Sequence, residues 1–241
     1  YLHLKGGLEI TTIADIPSRG TGLGSSSSFT IALLHALNAF QGRYITNEQL
    51  GIDSCKIEID ICNEPIGKQD QFAAALGGFN LLEFKSDERV IATPVIANPK
   101  TIENIESNLL LLYTGITRSA SDLLFKQSQS IRSSNQKKEN LKKMVDLVYL
   151  MYKEIQNNSI SAFGEILHEN WQLKKSLEGN ITSTEIDTWY NTARKNGAIG
   201  GKILGAGAGG FLLLFAPKDK HTTICQSLPQ LKKIDFSFEQ E

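Results

Sequence analysis

Two carboxylates and two glycine-rich runs are the parts of this chain whose types and spacing could do chemistry. Asp70 sits in Gly67-Lys68-Gln69-Asp70-Gln71-Phe72-Ala73-Ala74, an acid between two glutamines just past a turn. A carboxylate among Gln, Phe and Ala suits a solvated face poorly, which leaves helix capping or proton transfer as its work. Glu58 lies upstream on a segment of helical or strand character, as either a surface acid or a cation ligand. Beside a phosphate cradle the two would supply one carboxylate for a metal and one for a proton, the pair that phosphoryl transfer needs.

The cradle is the run Pro17-Ser18-Arg19-Gly20-Thr21-Gly22-Leu23-Gly24-Ser25-Ser26-Ser27-Ser28. An alternating apolar segment, LEITTIADI over residues 8–16, predicts a strand before it. Phe29, Leu33, Ala36, Leu37 and Phe40 share one helical face and predict a helix over 25–41. The serines then occupy a first helical turn whose N–H groups lack partners inside the helix, with the helix dipole adding positive potential. Glycines supply positive φ and close backbone approach, so the sum is an anion cradle, most naturally for phosphate. The bland alternative is a glycine turn with a serine N-cap, for which one serine would suffice. No lysine follows the last glycine, so this is not a Walker A loop, and serine falls where G-x-G-x-x-G needs its third glycine.

The second run, 200–210, does match G-x-G-x-x-G at Gly205, Gly207 and Gly210, but an apolar strand, FLLLF, follows where a dinucleotide fold needs a helix. It is either a tight packing loop or the second wall of a cleft.

The elements that must position these parts alternate in type. Residues 47–62 read as a helix opened by Thr46 or Asn47, 63–67 as a turn, and 69–76 as a short helix. Strands are expected over 79–84, 90–97 and 108–114, the last apolar on both faces and therefore central in its sheet. Amphipathic helices follow over 119–130, 137–157 and 159–177, with another opened by Thr182 and Glu185 in capping-box spacing and ending before Gly197. A strand at 211–215, a short helix after Pro217 and a strand at 233–238 close the chain. This order predicts two α+β lobes, 1–118 and 119–241.

Composition narrows the function classes. The 241 residues, 41% hydrophobic and 21% charged, suit a globular protein, and a net charge of −1 gives no reason to expect nucleic acid. The longest apolar run, residues 109–113, is too short to span a bilayer, and no basic-then-apolar leader opens the chain. Cys55, Cys62 and Cys225 include no C-x-x-C, which argues against zinc and fits a reducing, cytoplasmic setting. His3, His35, His168 and His221 are scattered and read as surface or packing residues.

PSRGTGLGSSSS, GKQDQ and KILGAGAGG, in that order, resemble the three signatures of the GHMP small-molecule kinases, which include galactokinase, homoserine kinase, mevalonate kinase and phosphomevalonate kinase. GKQDQFAAALGGFNLLEF and LYTGITRSASDLL are most similar to the branch that phosphorylates D-glycero-D-manno-heptose 7-phosphate at its anomeric hydroxyl. The resemblance implies an α+β, two-lobed GHMP-kinase fold, with a ribosomal-protein-S5-like first lobe and a ferredoxin-like second. Family members carry an additional N-terminal segment with a strand, sugar contacts and a basic residue, so the first lobe is expected to lack its first strands. Ala208 stands where many relatives carry glycine, and Ser27 and Ser28 replace small alanines.

Carried over by position, the resemblance implies ATP and Mg2+ as cofactors and a small sugar or sugar phosphate as substrate. Pro17 and Gly20 would shape entry to the loop, and the amides of Thr21, Gly22, Leu23, Gly24, Ser25 and Ser26, with Ser27, would hold the phosphates. Ser26 and Glu58 would be the metal ligands, and Asp70 the catalytic acceptor of the sugar's proton. Gly205, Gly207 and Gly209 would line the cleft from the second lobe, with Thr114, Gly115 and Arg118 near a sugar phosphate. Lys68 either keeps Asp70 ionised or is a solvated turn residue. A non-catalytic sensor of ATP and sugar, or a kinase for fucose, galactose or another hexose, are the alternatives.

Overall fold

The computed structural model describes residues 2, 4, 6–13, 22–117 and 120–238. Its first part is a trio of helices. α1 (Ser25–Phe40), α2 (Asn47–Cys55) and α3 (Gln69–Leu76) pack through Ile31, Leu34, Leu50 and Ala75. Thr46 caps α2 by accepting from the Gln49 amide, as its sequence signalled. The expected single helix over 47–62 changes character partway, because Lys56–Ile61 is a π-helical segment closed by Cys62 N to Ile57 O at 2.9 Å. An extra residue per turn re-aims the side chains, and it explains why Ile57, Ile59 and Ile61 fit no single helical period.

After α3 comes a hairpin of β1 (Asn80–Phe84) and β2 (Val90–Pro94), with Asn80 opposite Pro94 and Phe84 opposite Val90. The strand expected over 90–97 thus ends earlier, at Pro94, although the Val95 amide still donates to Phe79 O at 2.8 Å. α4 (Pro99–Asn108) was not anticipated, although Asn98 caps it by accepting from the Lys100 amide and Pro99 occupies its first turn. The strand expected over 8–16 is corrected: residues 8–13 form no strand, being exposed and without a ladder partner among the described residues, and 14–16 lie outside them.

The second part is one antiparallel sheet, ordered β4-β5-β3-β6, from β3 (Leu109–Tyr113), β4 (Gly200–Ile203), β5 (Phe211–Phe215) and β6 (Lys232–Ile234). α5 (Ala120–Arg132), α6 (Asn135–Gln156), α7 (Phe163–Leu177) and α8 (Thr184–Lys195) separate β3 from β4, and α9 (His221–Ser227) separates β5 from β6. That is the split β-α-β topology of a ferredoxin-like unit, with several helices in its first crossover. The two-lobed α+β arrangement and the central place of β3 are as the sequence led one to expect. The boundary near residue 118 is not: β3, the first strand of the unit, precedes it. Part of the expected second glycine loop is strand β4, paired from Gly200 opposite Phe215 to Ile203 opposite Leu212. Ser183, rather than Thr182, caps α8 through the Ile186 amide.

The main core lies between this sheet and its helices, around Trp171, Tyr190, Ile186, Leu212 and Leu214. His168 Nδ1 pairs with the Tyr190 hydroxyl at 2.6 Å, the packing role expected of it. β4 and α7 approach backbone to backbone. A Cβ at Gly200 would lie 1.8 Å from the Gly164 carbonyl oxygen, so only glycine fits.

Candidate active site

The site begins at the start of α1. Gly24 is its N-cap, in the left-handed region at φ 67°, and no side chain caps the helix. The serine-cap alternative therefore fails; the hydroxyls do something else. Ser26 Oγ donates to Glu58 Oε1, and Ser27 Oγ donates to Glu58 Oε2 at 2.8 Å. Gln71 Nε2 donates to the same Oε2 at 2.7 Å, from the first turn of α3. Glu58, on the π-helical segment, is only 4% exposed, so its carboxylate is held among three donors from two helices. Gln71 Oε1 is buried with no hydrogen-bond partner among the described residues. Two hydroxyls and a carboxylate are hard oxygen ligands of the kind that suits Mg2+, which commonly takes one or two carboxylates plus substrate phosphates.

Asp70 stands next to the same turn. A Cβ on Gly24 would meet Asp70 Cβ and Cγ at 3.3 Å, so the glycine turn before α1 lies close against this acid. Asp70 does not cap α3, which has no side-chain cap. Its residue surface opens to solvent, yet the surrounding protein desolvates the carboxyl in part. That desolvation first, and the Glu58 charge second, push its pKa above the ordinary value, while the Lys174 ammonium pulls it down.

Lys174 is the cation that sequence reasoning missed. It lies on α7, over a hundred residues from Asp70, and its Nζ donates to the Gly205 carbonyl. Burial, then the nearby Lys202 charge, bring its pKa down to about 7, against the pull of Asp70. No local signal separates Lys174 from the solvated lysines around it. Lys68, the candidate next to Asp70 in sequence, instead donates to the Glu88 carboxylate and to Glu88 O at 3.2 Å, tying α3 to the hairpin turn.

The two glycine runs meet. A Cβ on Gly22 would fall 2.7 Å from Leu204 O, and one on Gly205 would fall 2.5 Å from Gly22 Cα, with both residues at positive φ. Gly207 presses on Ile181 and Gly209 on Ile116 in the same way. Ala208, at the position noted for glycine, holds φ 63° and donates its amide to Ile181 O at 2.7 Å. Thr114 anchors this loop, its hydroxyl donating to Gly210 O at 2.8 Å, and Gly210 N donates to Ile116 O at 2.7 Å. Leu23 and Ser25 lie in the turn and the first residue of α1, while Pro17, Gly20, Thr21 and Arg118 lie outside the described residues. Among the described residues no helix is long and apolar enough to cross a membrane.

Two helix-borne acids, a helix start with no side-chain cap and two apposed glycine loops from separate lobes define a small-molecule kinase architecture. The chain matches the GHMP kinases N terminal domain over residues 1–78 and the GHMP kinases C terminal domain over 151–232, and it belongs to the GHMP kinase family. It is 29% identical over 241 residues to the D-glycero-alpha-D-manno-heptose 7-phosphate kinase of Campylobacter jejuni, covering 97% of this chain and 69% of that relative. A putative sugar kinase structure from Campylobacter jejuni is 27% identical with a TM-score of 0.70, covering 94% of this chain and 65% of that one. A D-glycero-D-manno-heptose 1-phosphate kinase structure from Bacteroides thetaiotaomicron shares the fold at 23% identity and a TM-score of 0.69. This chain covers 93% of its own length and 62% of that structure in the match, so it spans under two thirds of both solved structures.

Proposed function

We propose that this chain forms the catalytic body of a cytoplasmic, ATP-dependent sugar kinase that phosphorylates an anomeric hydroxyl. The substrate would be D-glycero-D-manno-heptose 7-phosphate and the product its 1,7-bisphosphate. The observation that supports the reading is the closeness of Asp70 to Gly24: an acid with a raised pKa beside the glycine turn is suited to take the proton of a hydroxyl attacking a phosphate bound there.

The sugar's anomeric oxygen forms a bond to the γ-phosphorus, the bond from that phosphorus to the bridging oxygen breaks, and its electron pair leaves with ADP. The hydroxyl proton goes to Asp70. An anomeric hydroxyl is more acidic than an ordinary alcohol, so a carboxylate with a modestly raised pKa is a competent acceptor. Amides of Gly22 to Ser26, at the start of α1, would hold the phosphates in line. Ser26 and Glu58 would hold a Mg2+ ion, which would supply positive charge beside the phosphates. Asp70 and Glu58 are both present, which favours a kinase over a non-catalytic sensor.

The test is ADP release by the purified protein across sugars and sugar phosphates. Heptose 7-phosphate is expected to give the highest kcat/KM. A clear preference for galactose or fucose overturns the substrate assignment, and binding of ATP and sugar without ADP release overturns the kinase reading.

A further inference from the structure

Among the described residues of the first glycine run, Gly22 to Ser28, no side chain is cationic. We propose that Lys174 and Lys202 together form a phosphate-monoester site on the second lobe, facing Asp70 across the apposed glycine loops. The proposal rests on the kinase reading only for the identity of the phosphate it takes.

The geometry comes from three contacts. Lys174 is fastened to the Gly205 carbonyl, and Gly205 lies against Gly22 of the phosphate loop, so the ammonium is held at the seam between the two runs. Lys202 projects from β4, three residues before Gly205, under the helix that carries Lys174; the glycine contacts of Gly200 with Gly164 and His168 hold the two elements together. Lys202 also lines a cavity of about 210 Å3 with Asn170, one helical turn before Lys174, and with Asn80 and Tyr152 among otherwise apolar walls. Among the described residues it makes no hydrogen bond and no ion pair, an arrangement that disfavours a buried ammonium.

Two cations brought together, one of them without a counter-charge, repel each other at a cost. Burial lowers the pKa of Lys202, and burial with its neighbour lowers that of Lys174. Asp70 alone cannot neutralise both. A dianionic phosphate bridging the two ammonium groups would satisfy both and draw protons back onto them. Two sources share this chemistry: the γ-phosphoryl group of the nucleotide and the ester phosphate of a phosphorylated sugar.

Two measurements test the site. The first follows the Lys174 side-chain carbon resonances against pH, without and with inorganic phosphate and with a sugar phosphate. The expected result is a titration midpoint that moves upward from about 7 on adding either ligand; in Lys202→Met the midpoint starts higher, because the neighbouring charge is gone, and moves less on adding ligand. The second compares kinetics of Lys174→Met and Lys202→Met on a phosphorylated and an unphosphorylated sugar, with a melting curve to show that both variants are folded. Loss of a charge-assisted contact should cost roughly 10- to 100-fold. If the site holds the sugar's ester phosphate, KM rises for the phosphorylated sugar alone. If it holds the γ-phosphoryl group, kcat falls on both sugars and a non-hydrolysable ATP analogue binds more weakly while ADP does not. An unmoved Lys174 titration together with unchanged kinetics overturns the proposal. Should the wild-type protein turn over no sugar, the kinase reading fails and the titration alone decides the phosphate site.

Discussion

Three influences meet on the Asp70 carboxyl: partial desolvation and Glu58 raise its pKa, and Lys174 lowers it. A raised folded-state pKa means the folded protein takes up the proton more readily than the unfolded chain. The associated stability is present at low pH and is lost as pH rises through the folded value. Asp70→Asn is therefore expected to melt no lower than wild type at pH 7, with the two curves converging below the carboxylate range. The same variant should lose ~10²–10⁴-fold in sugar-dependent ADP release while binding ATP nearly unchanged. A wild-type rate in that variant would remove Asp70 from the chemistry. Glu58 is bound differently: it is buried and accepts three hydrogen bonds. Glu58→Gln turns one acceptor into a donor facing donors, so a loss of about 1–3 kcal/mol is expected from urea unfolding, with a higher Mg2+ requirement. Asp70 was legible as an acid in the wrong company. The buried state of Glu58 was not, because its partners Ser26 and Ser27 stand 32 and 31 residues away.

At the scale of elements, the start of α1 and the turn after β4 work as one structure. The need for glycine at 205 comes from the opposite loop as much as from its own φ of +64°. Gly205→Ala would strain the backbone by about 1–2 kcal/mol and drive the loops apart. The expected outcome is a raised KM for ATP and a reduced kcat, read by steady-state kinetics, with only a small shift in melting temperature. Helix limits were largely legible where a capping residue acts locally, as at Thr46. The Asn98-Pro99 start of α4 carried an equally local signal. The π-helical turn that aims Glu58 was hidden, since its pattern is a departure from period rather than a period.

At the scale of the molecule, the position of α7 decides where Lys174 sits, and α7 is seated on β4 through Gly200 and Gly164. Gly200→Ala would push a methyl group into the Gly164 carbonyl, 1.8 Å away. Overpacking of that kind costs about 3 kcal/mol, or roughly 5–10 °C in melting temperature. Calorimetry should show that loss, and any folded remainder should turn over more slowly because the lysine has left the seam.

By itself the sequence determined the glycine- and serine-rich run, the odd acid at 70, the second glycine run and the order of most elements. Those depend on φ freedom, unpaired first-turn amides and hydrophobic period, all properties of a few neighbouring residues. Only the tertiary structure decided which charges act on which. It moved the cation from Lys68, spent on Glu88, to Lys174, and it put β3 into the second sheet. It also laid Gly22 against Gly205. Coulomb interactions and burial depend on distance through space, and the chain brings residues 24, 58, 70, 174 and 205 together only when it folds.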